Sequence, residues 1–247
     1  MAEIELFHFP GSHFNEKARW GLDLKRIEHE RISLLPGPHM RTVKKLTGMT
    51  QTPVLRVRGE VIAGSTPILE FLERTRPEPA LFPKAETDAA RARSLLREWD
   101  DEIGPAVRLV KFFEVMDARY ASGTFCQGRN AVVRGLYRST FPLVGALMKN
   151  KMGIDAKSAA AARNKTRRAF DFVAKASTRT GYLMGDRFSV ADLACAALLM
   201  PCVEVGDWGG PAEASTEKSR RWHEKWADHP GAEWVREIYR RHRSPES

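Results

Sequence analysis

Cysteine pairs, long apolar runs and metal-ligand clusters are all missing from this 247-residue sequence. The three cysteines, Cys126, Cys195 and Cys202, form no Cys-x-x-Cys pair, which argues against a disulfide framework and favours the reducing cytoplasm. The longest apolar stretches, such as 193–203, are shorter than the roughly 18 residues of a spanning helix, so we expect no membrane partner. No His, Cys, Asp and Glu residues stand at metal-ligand spacing, so we expect no metal.

Acidic residues are outnumbered, because 40 Lys and Arg face 31 Asp and Glu and leave a net charge of +9. A basic helical face could contact nucleic acid or a membrane. However, no aromatic residues alternate with it and no nucleic-acid motif accompanies it, so we interpret it as a solvated face and expect no nucleic-acid partner. The nucleic-acid interpretation would predict a steeply salt-dependent affinity. The face comprises Arg163, Lys165, Arg167 and Arg168.

The first twenty residues predict a strand, a tight turn and a helix. Residues 4–9 form a short apolar run, which Pro10 and Gly11 interrupt. Ser12 and Asn15 are possible caps of an amphipathic helix that runs to about residue 26. A hydroxyl at a helix N-terminus, where N–H groups are unpaired, can hold an anion or a thiolate. The simpler alternative is that Ser12 only caps the helix.

The following residues to about 75 continue this mixed pattern. The order β-α-β-α-β-β-α predicts a small α/β sheet domain. We expect strands at 29–35, 53–57 and 61–63, a short helix at 39–46, and a helix that starts at the Gly64–Pro67 turn.

Beyond residue 86 the pattern is helical throughout. We therefore divide the chain into a first domain at 1–76, a proline-rich linker at 77–86 and an all-α domain at 87–247. Ser189 and Asp192 form a capping-box pattern ahead of an apolar, buried helix. The expected helices are 88–120, kinked at Gly104-Pro105, then 135–149, 157–178 and 189–205, and two short helices at the end.

Four features together resemble the soluble glutathione transferases. They are Ser12 followed by Lys17-Ala18-Arg19, then Thr52-Pro53-Val54-Leu55, then Gly64-Ser65-Thr66, and finally the segment 185–192. The resemblance covers nearly the whole chain and implies a thioredoxin-like N-terminal domain followed by an all-helical C-terminal domain. Within the family the chain is similar to bacterial serine/cysteine-type members, akin to the zeta, theta and omega classes.

The resemblance implies a role for several residues near the first turn. Ser12 stands where serine-type members keep the serine that stabilises the glutathione thiolate, and Asn15, whose amide is also a donor, is the fallback. Pro53 matches the cis-proline of the family, which would aim the backbone of Thr52 at the cysteinyl part of glutathione. Gln51 stands where the family often places a glutathione contact.

The remaining glutathione contacts would come from two helix starts. Ser65, with Thr66 beside it, would hold the γ-glutamyl carboxylate. His39 resembles a theta-class histidine near the glycyl carboxylate, although this match is looser. Gly64 departs from the family, which usually has an acidic residue there to pair with the γ-glutamyl amine. Thr66 or a partner subunit would have to supply that contact.

An electrophile would bind between this region and the first helices of the second domain. Aromatic and sulfur side chains at helical spacing could line that pocket, although such residues are more often core. The candidates are Phe112, Phe113, Met116 and Tyr120, with Tyr137 beyond them.

Two functions remain open at this point. The first is an enzyme that activates the glutathione thiolate for attack on a small, hydrophobic electrophile, and the resemblance implies that it works as a homodimer. The second is a non-catalytic member of the same fold that binds glutathione or another protein, which Gly64 and Asn15 favour. No cysteine lies near Ser12, so disulfide exchange with glutathione is not expected.

Overall fold

A four-stranded sheet with three helices forms the N-terminal part of the computed structural model, which describes residues 3–206 and 215–243. The strand order is β2-β1-β3-β4. β1 pairs with β2 in parallel through a helical crossover, and the other two pairings are antiparallel. This confirms the βαβαββα order. The elements are β1 (Ile4–His8), α1 (His13–Leu24), β2 (Glu30–Ser33), α2 (His39–Thr47), β3 (Val54–Val57), β4 (Glu60–Ala63) and α3 (Ser65–Thr75).

The alternating side chains of β1 explain why helices cover both faces of the sheet. Leu6 packs among α1 and α3 residues such as Leu22 and Leu72 on one face. Phe7 points to the opposite face, where it meets Val43 of α2. Successive side chains of a strand lie on opposite faces, so two adjacent apolar residues require cover on both.

The rest of the chain, from α4 onward, is helical and contains the largest hydrophobic core. The apolar helix α9 lies inside it, with every residue buried. Asp192 accepts hydrogen bonds from the N–H and the hydroxyl of Ser189, as the capping pattern predicts. The helices are α4 (Glu86–Glu98), α5 (Gly104–Val115), α6 (Ala118–Phe125), α7 (Ala131–Lys151), α8 (Ala156–Ala176), α9 (Val190–Leu199), α10 (Glu217–Glu224) and α11 (Pro230–His242).

The prediction of a single helix at 88–120 is wrong. One π-helical turn, Trp99–Ile103, separates α4 from α5 at the expected kink. The true break lies further on, because Asp117 is extended and its carboxylate accepts from the N–H groups of Arg119 and Tyr120. An aspartate in this geometry is an N-cap, so it starts a new helix, α6, instead of continuing the old one.

Several other boundaries move by a few residues. α7 starts at Ala131 instead of 135, because Asn130 caps it by accepting from the Val133 N–H. The apolar helix expected to reach 205 ends at Leu199, and a 3₁₀ turn, Met200–Cys202, follows it. Pro201 cannot donate the backbone hydrogen bond that a longer helix would need.

The last described residues, His242 and Arg243, contact α1. The Trp20 indole N–H donates to the His242 carbonyl at 3.1 Å. Arg243 is buried and forms ion pairs with Glu16 and Asp23, at 2.8 and 2.7 Å. Since α1 carries Ser12 at its start, these contacts hold the candidate site against the helical half.

The basic face of α8 is partly neutralised. Arg163 pairs with Glu114, and Lys165 pairs with Glu102. Arg167 is exposed. This favours the interpretation of a solvated face.

Across the described ranges, the structure has no helix that combines the length and the apolar character needed to span a membrane. The three cysteines are buried, and burial raises the pKa of each thiol. A buried thiol with a raised pKa forms little thiolate and is unreactive.

Candidate functional site

Asn15 is the centre of the hydrogen-bond network at the first turn. It is fully buried. Its side-chain oxygen accepts from the Phe9 N–H at 3.2 Å, and its amide nitrogen donates to the hydroxyls of Ser12 at 2.7 Å and Thr52 at 3.2 Å. One side chain therefore joins the end of β1, the start of α1 and the loop before β3.

The orientation of the Asn15 amide follows from its partners. A backbone N–H can only donate, so the oxygen of Asn15 must face Phe9 and the NH₂ group must face the two hydroxyls. Each hydroxyl accepts from Asn15 and keeps its own hydrogen for a third partner. Ser12 and Thr52 can thus both donate to a negatively charged atom that lies on the solvent side of the two hydroxyls.

Ser12 is not a side-chain cap of α1. It occupies the N-cap position with extended backbone angles, but its hydroxyl forms no capping hydrogen bond. The simpler alternative for this residue is therefore not supported, because its half-buried hydroxyl is held by Asn15 instead.

Arg19 stabilises the turn between β1 and α1 through hydrogen bonds. Its guanidinium donates to the carbonyl of Phe9 at 3.1 Å and pairs with Glu16 at 2.8 Å. It also lies 3.0 Å from Nδ1 of His8. Burial, together with the charge of Arg19, lowers the pKa of His8 to about 3, so the ring is neutral and accepts from Arg19. The Lys17-Ala18-Arg19 motif is therefore a support for the turn.

The Thr52-Pro53 peptide bond is cis, as the resemblance implies. The Pro53 carbonyl accepts from the Gly64 N–H at 2.9 Å. This contact places the start of α3 beside the loop that carries Thr52. Ser65 is the first residue of α3 and is buried, and its N–H belongs to the unpaired first turn of a helix. Gly64 has a φ of 97°, which favours glycine.

Lys17, Thr66 and Asp100 form a second cluster next to Ser65. The fully buried Lys17 ammonium donates to Asp100 at 2.5 Å and to the Thr66 hydroxyl at 3.0 Å. That hydroxyl donates to the other oxygen of Asp100 at 2.6 Å. Asp100 lies in the π-helical turn, so the cluster joins α1, α3 and the helical half. Burial lowers the pKa of Lys17, while Asp100 favours its charged form.

His39 lies beside the site with both ring nitrogens in use. Nδ1 accepts from the Gly37 N–H, and Nε2 donates to the Thr50 carbonyl, each at 3.1 Å. The ring also meets Phe9 edge-on at 4.7 Å. His39 therefore holds the loop before Thr52 in place. Gln51 in that loop is exposed.

The structure does not bring the expected electrophile-pocket residues together. Phe112 is buried in one cluster, which also contains Tyr137, and Tyr120 is buried in another. Phe113 is 41% exposed. Met116 packs against both clusters. This burial favours the core alternative for Phe112 and Tyr120.

Helix α6 lies over the first turn instead. A Cβ added to Gly11 would meet Cγ2 of Thr124 at 2.0 Å, so the two segments touch only because residue 11 is glycine. The Phe125 ring lies 6.0 Å from that of Phe9. α6 is thus the part of the helical half in contact with the turn that carries Ser12.

Two protein-family models match most of this chain. The model described as "Glutathione S-transferase, N-terminal domain" matches residues 6–80, and the model described as "Glutathione S-transferase, C-terminal domain" matches residues 131–230. The chain belongs to the soluble glutathione S-transferase family.

Similar proteins within and around this family have more than one activity in their names. A maleylacetoacetate isomerase of Dictyostelium discoideum is 33% identical over 42% of this chain and 50% of its own. The chain spans about half the length of the curated relatives it matches.

Two solved structures share the fold. A beta-etherase from Sphingobium sp. strain SYK-6 has a TM-score of 0.64 and 19% identity, and the likeness covers 96% of this chain and 99% of that one. A theta class glutathione S-transferase from Xanthomonas axonopodis pv. citri, with glutathione bound, has a TM-score of 0.59 and 16% identity, with both chains fully covered.

Three features of this transferase-family site were not anticipated. Asn15 was only a fallback donor, yet it orients Ser12. Asp100 stands in the acidic run 100–102, where nothing in the sequence separates it from its neighbours. Thr124 lies between the helices expected at 88–120 and 135–149, where the sequence predicts no element. Within residues 3–206 and 215–243, no three His, Cys, Asp or Glu side chains are grouped as metal ligands.

Proposed function

We propose that this chain is a glutathione transferase in which Ser12 stabilises the glutathione thiolate for attack on a small, hydrophobic electrophile. The observation that supports it most is the Asn15 network, which leaves the Ser12 hydroxyl hydrogen available at the N-terminus of α1. The family membership supplies glutathione as the thiol.

The energies are sufficient for this role. A free thiol with a pKa of about 8.5 is only a few per cent ionised at neutral pH. Lowering that pKa by about two units requires about 2.7 kcal/mol in favour of the thiolate. A hydroxyl that donates to a charged atom contributes about 1.5–3 kcal/mol. The N-terminus of α1 adds about 0.3–1 kcal/mol.

The other parts of glutathione would be held by the two loops already connected to Ser12. The Thr52 backbone would pair with the cysteinyl part, with Gln51 beside it. The N-terminus of α3, with Ser65 and Thr66, would hold the γ-glutamyl carboxylate.

Asp100 offers a replacement for the acidic residue that Gly64 removes. It contacts Thr66 directly, so its carboxylate lies one residue from the proposed γ-glutamyl site. Its side chain is 21% exposed and can still be reached by a ligand. We therefore assign the γ-glutamyl amine to Asp100 of the same chain.

For the second substrate we propose only its chemical class, a small, hydrophobic electrophile. The maleylacetoacetate isomerase among the relatives makes glutathione-dependent isomerisation an alternative outcome at the same thiolate. We also propose a cytoplasmic homodimer with α3 near its interface. Light scattering of the purified protein tests that assembly.

The test compares the wild type with Ser12→Ala. We expect kcat/KM for an aryl halide to fall about 10- to 150-fold, the equivalent of one hydrogen bond to a charged atom. The pKa of bound glutathione, followed by the ultraviolet absorbance of its thiolate, should rise. Glutathione affinity and the melting temperature should stay close to those of the wild type. Ser94→Ala, on the exposed face of α4, is the matched control.

Each outcome separates the alternatives. Full turnover by Ser12→Ala would sink the assignment of Ser12. Binding of glutathione by the wild type, without turnover of any aryl halide or maleyl substrate, would favour the non-catalytic interpretation. Unchanged glutathione affinity in Asp100→Asn would contradict the assignment of Asp100 alone.

A further inference from the structure

Helix α7 exposes an apolar face to solvent. Its inner face packs through Tyr137 and Phe141. Surface helices usually turn charged residues outward. At 3.6 residues per turn, the four most exposed apolar side chains of α7 lie within about 60° of one another, so they form one stripe. They are Val132 (79% exposed), Leu136 (65%), Leu143 (69%) and Leu147 (62%).

The two chain segments that contain α7 and α2 bear charges of one sign. The segments 31–59 and 118–154 contain no Asp or Glu, and they hold 12 of the 40 Lys and Arg residues. The rest of the chain has 28 cations against 31 acids. The two segments therefore account for the whole net positive charge of the protein.

The two segments are neighbours in the fold. The Tyr137 hydroxyl donates to the Pro36 carbonyl at 3.4 Å, and the Arg129 guanidinium donates to the Ser33 carbonyl at 2.7 Å. α2 follows these residues and also exposes apolar side chains, Met40 to 43%. We call the exposed parts of α7 and α2 the acid-free surface.

The exposed cations of the acid-free surface are not neutralised. None of them forms an ion pair with any residue of the described ranges, in contrast to Arg163 and Lys165 on α8. At 3.6 residues per turn, Lys151 of α7 lies about 70° from the centre of the stripe, Lys149 about 130° and Arg138 about 150°. The exposed cations are Arg41, Lys44 and Lys45 of α2, and Arg138, Lys149 and Lys151 of α7.

We propose that the acid-free surface docks on an anionic lipid membrane, with α7 lying in the plane of the headgroups. Aliphatic side chains would enter the interface between headgroups and acyl chains, and the flanking cations would reach the lipid phosphates. This association does not require a spanning helix, so it is compatible with the lack of one among the described residues.

Charge also argues against two other occupants. In a symmetric contact, α7 of one copy would face the same cations on a second copy, with no acidic group in α7 to balance them. Nucleic acid would neutralise the cations, but its phosphates and sugars give no reason for four exposed aliphatic side chains. An anionic bilayer satisfies both features.

The experiment measures co-sedimentation with vesicles of phosphatidylcholine alone and of equimolar phosphatidylcholine and phosphatidylglycerol. The full chain should bind the anionic vesicles, and added salt should weaken that binding. Lys149→Gln with Lys151→Gln should lower the partition coefficient about fivefold for each cation. Leu143→Gln with Leu147→Gln should lower it about tenfold or more for each leucine.

Matched controls come from α8 and the residues just after it, outside the acid-free surface. Phe172→Gln removes another exposed apolar side chain (42%), and Arg167→Gln with Arg179→Gln removes two exposed cations. Both controls should bind as the wild type does. Circular dichroism checks that every variant is folded, which is expected because the changed side chains face solvent.

Three results would overturn the proposal. The first is equal or negligible binding to both kinds of vesicle at low salt. The second is a change from dimer to monomer in the double leucine variant by light scattering, which would assign the stripe to a second copy. The third is binding of duplex DNA that the charge variants weaken and the leucine variants leave unchanged, without binding of vesicles.

Discussion

The two halves of the proposed site are built in different ways. On the glutathione side, Asn15 connects Ser12 and Thr52, and the loop after Thr52 meets the start of α3. On the electrophile side, the expected residues are distributed between two packed clusters and solvent. The first side depends on turns and helix starts that short motifs specify, and on hydrogen bonds that join those short segments. The second depends on how long helices pack, which short motifs do not specify.

The largest expected effect would come from Phe112→Ala on the electrophile side. Phe112 is 2% exposed in a packed cluster, so its truncation should destabilise the fold by about 3–5 kcal/mol. Phe113→Ala, one residue on and 41% exposed, should change stability by about 0.5 kcal/mol or less. Chemical denaturation measures both. Similar losses in the two variants would show that the contrast between core and surface is wrong.

Asn15→Asp would disrupt the hydrogen bonds on the glutathione side while it keeps the volume of the side chain. The carboxylate still accepts from the Phe9 N–H, but it can no longer donate to Ser12, so the Ser12 hydroxyl turns toward it and away from sulfur. We expect kcat/KM to fall about 10- to 150-fold, or roughly 1.5–3 kcal/mol in the barrier.

A double-mutant cycle identifies the cause of that loss. If Asn15 acts through Ser12, then Asn15→Asp should cost little more in the Ser12→Ala background. Additive losses would mean that Asn15 contacts the thiolate independently.

Gly11→Ala tests the contact between the two sides. The new methyl group would overlap Cγ2 of Thr124, and threonine is stiff within a helix, so α6 must shift. Overpacking of this kind costs about 1–3 kcal/mol. Thr124→Ser removes the overlapping methyl group and should restore most of the stability and turnover of the Gly11→Ala variant. If the pair is no better than Gly11→Ala alone, α6 does not lie on the turn.

His13 provides the smallest effect, at the joint between α1 and α5. Its Nε2 donates to the Gly104 carbonyl at 3.1 Å, and burial lowers its pKa from 6.5 to about 3. Between these pH values the unfolded chain binds a proton that the folded chain does not. The free energy of unfolding should therefore decrease as the pH falls below about 6.5, by about 1.4 kcal/mol per pH unit for this residue.

His13→Gln keeps a donor for the Gly104 carbonyl but cannot titrate. Its stability curve between pH 6 and 5 should therefore be flatter than that of the wild type by about one proton. Urea denaturation at several pH values measures the difference between the two proteins, in which the contributions of other groups cancel. Parallel curves would mean that His13 is accessible to water and titrates normally.

The sequence alone determined the order of the strands and helices up to α3 and indicated the glutathione-side candidates. Local rules were enough for this: the apolar alternation of β1, the turn at Pro10-Gly11 and the helix start at Gly64 each depend on adjacent residues. Likewise, the Ser189–Asp192 pattern placed the start of α9, because a capping box is a contact within one turn.

Only the tertiary structure decided which residues support Ser12 and what covers it. Asn15 reaches Thr52 across 37 positions, and Lys17 reaches Asp100 across 83, so no local pattern contains these contacts. The placement of α6 over Gly11 depends on the helix break at Asp117. Whether an aliphatic residue of α7 faces the core or solvent also depends on what packs against that helix, since its sequence is apolar on both faces.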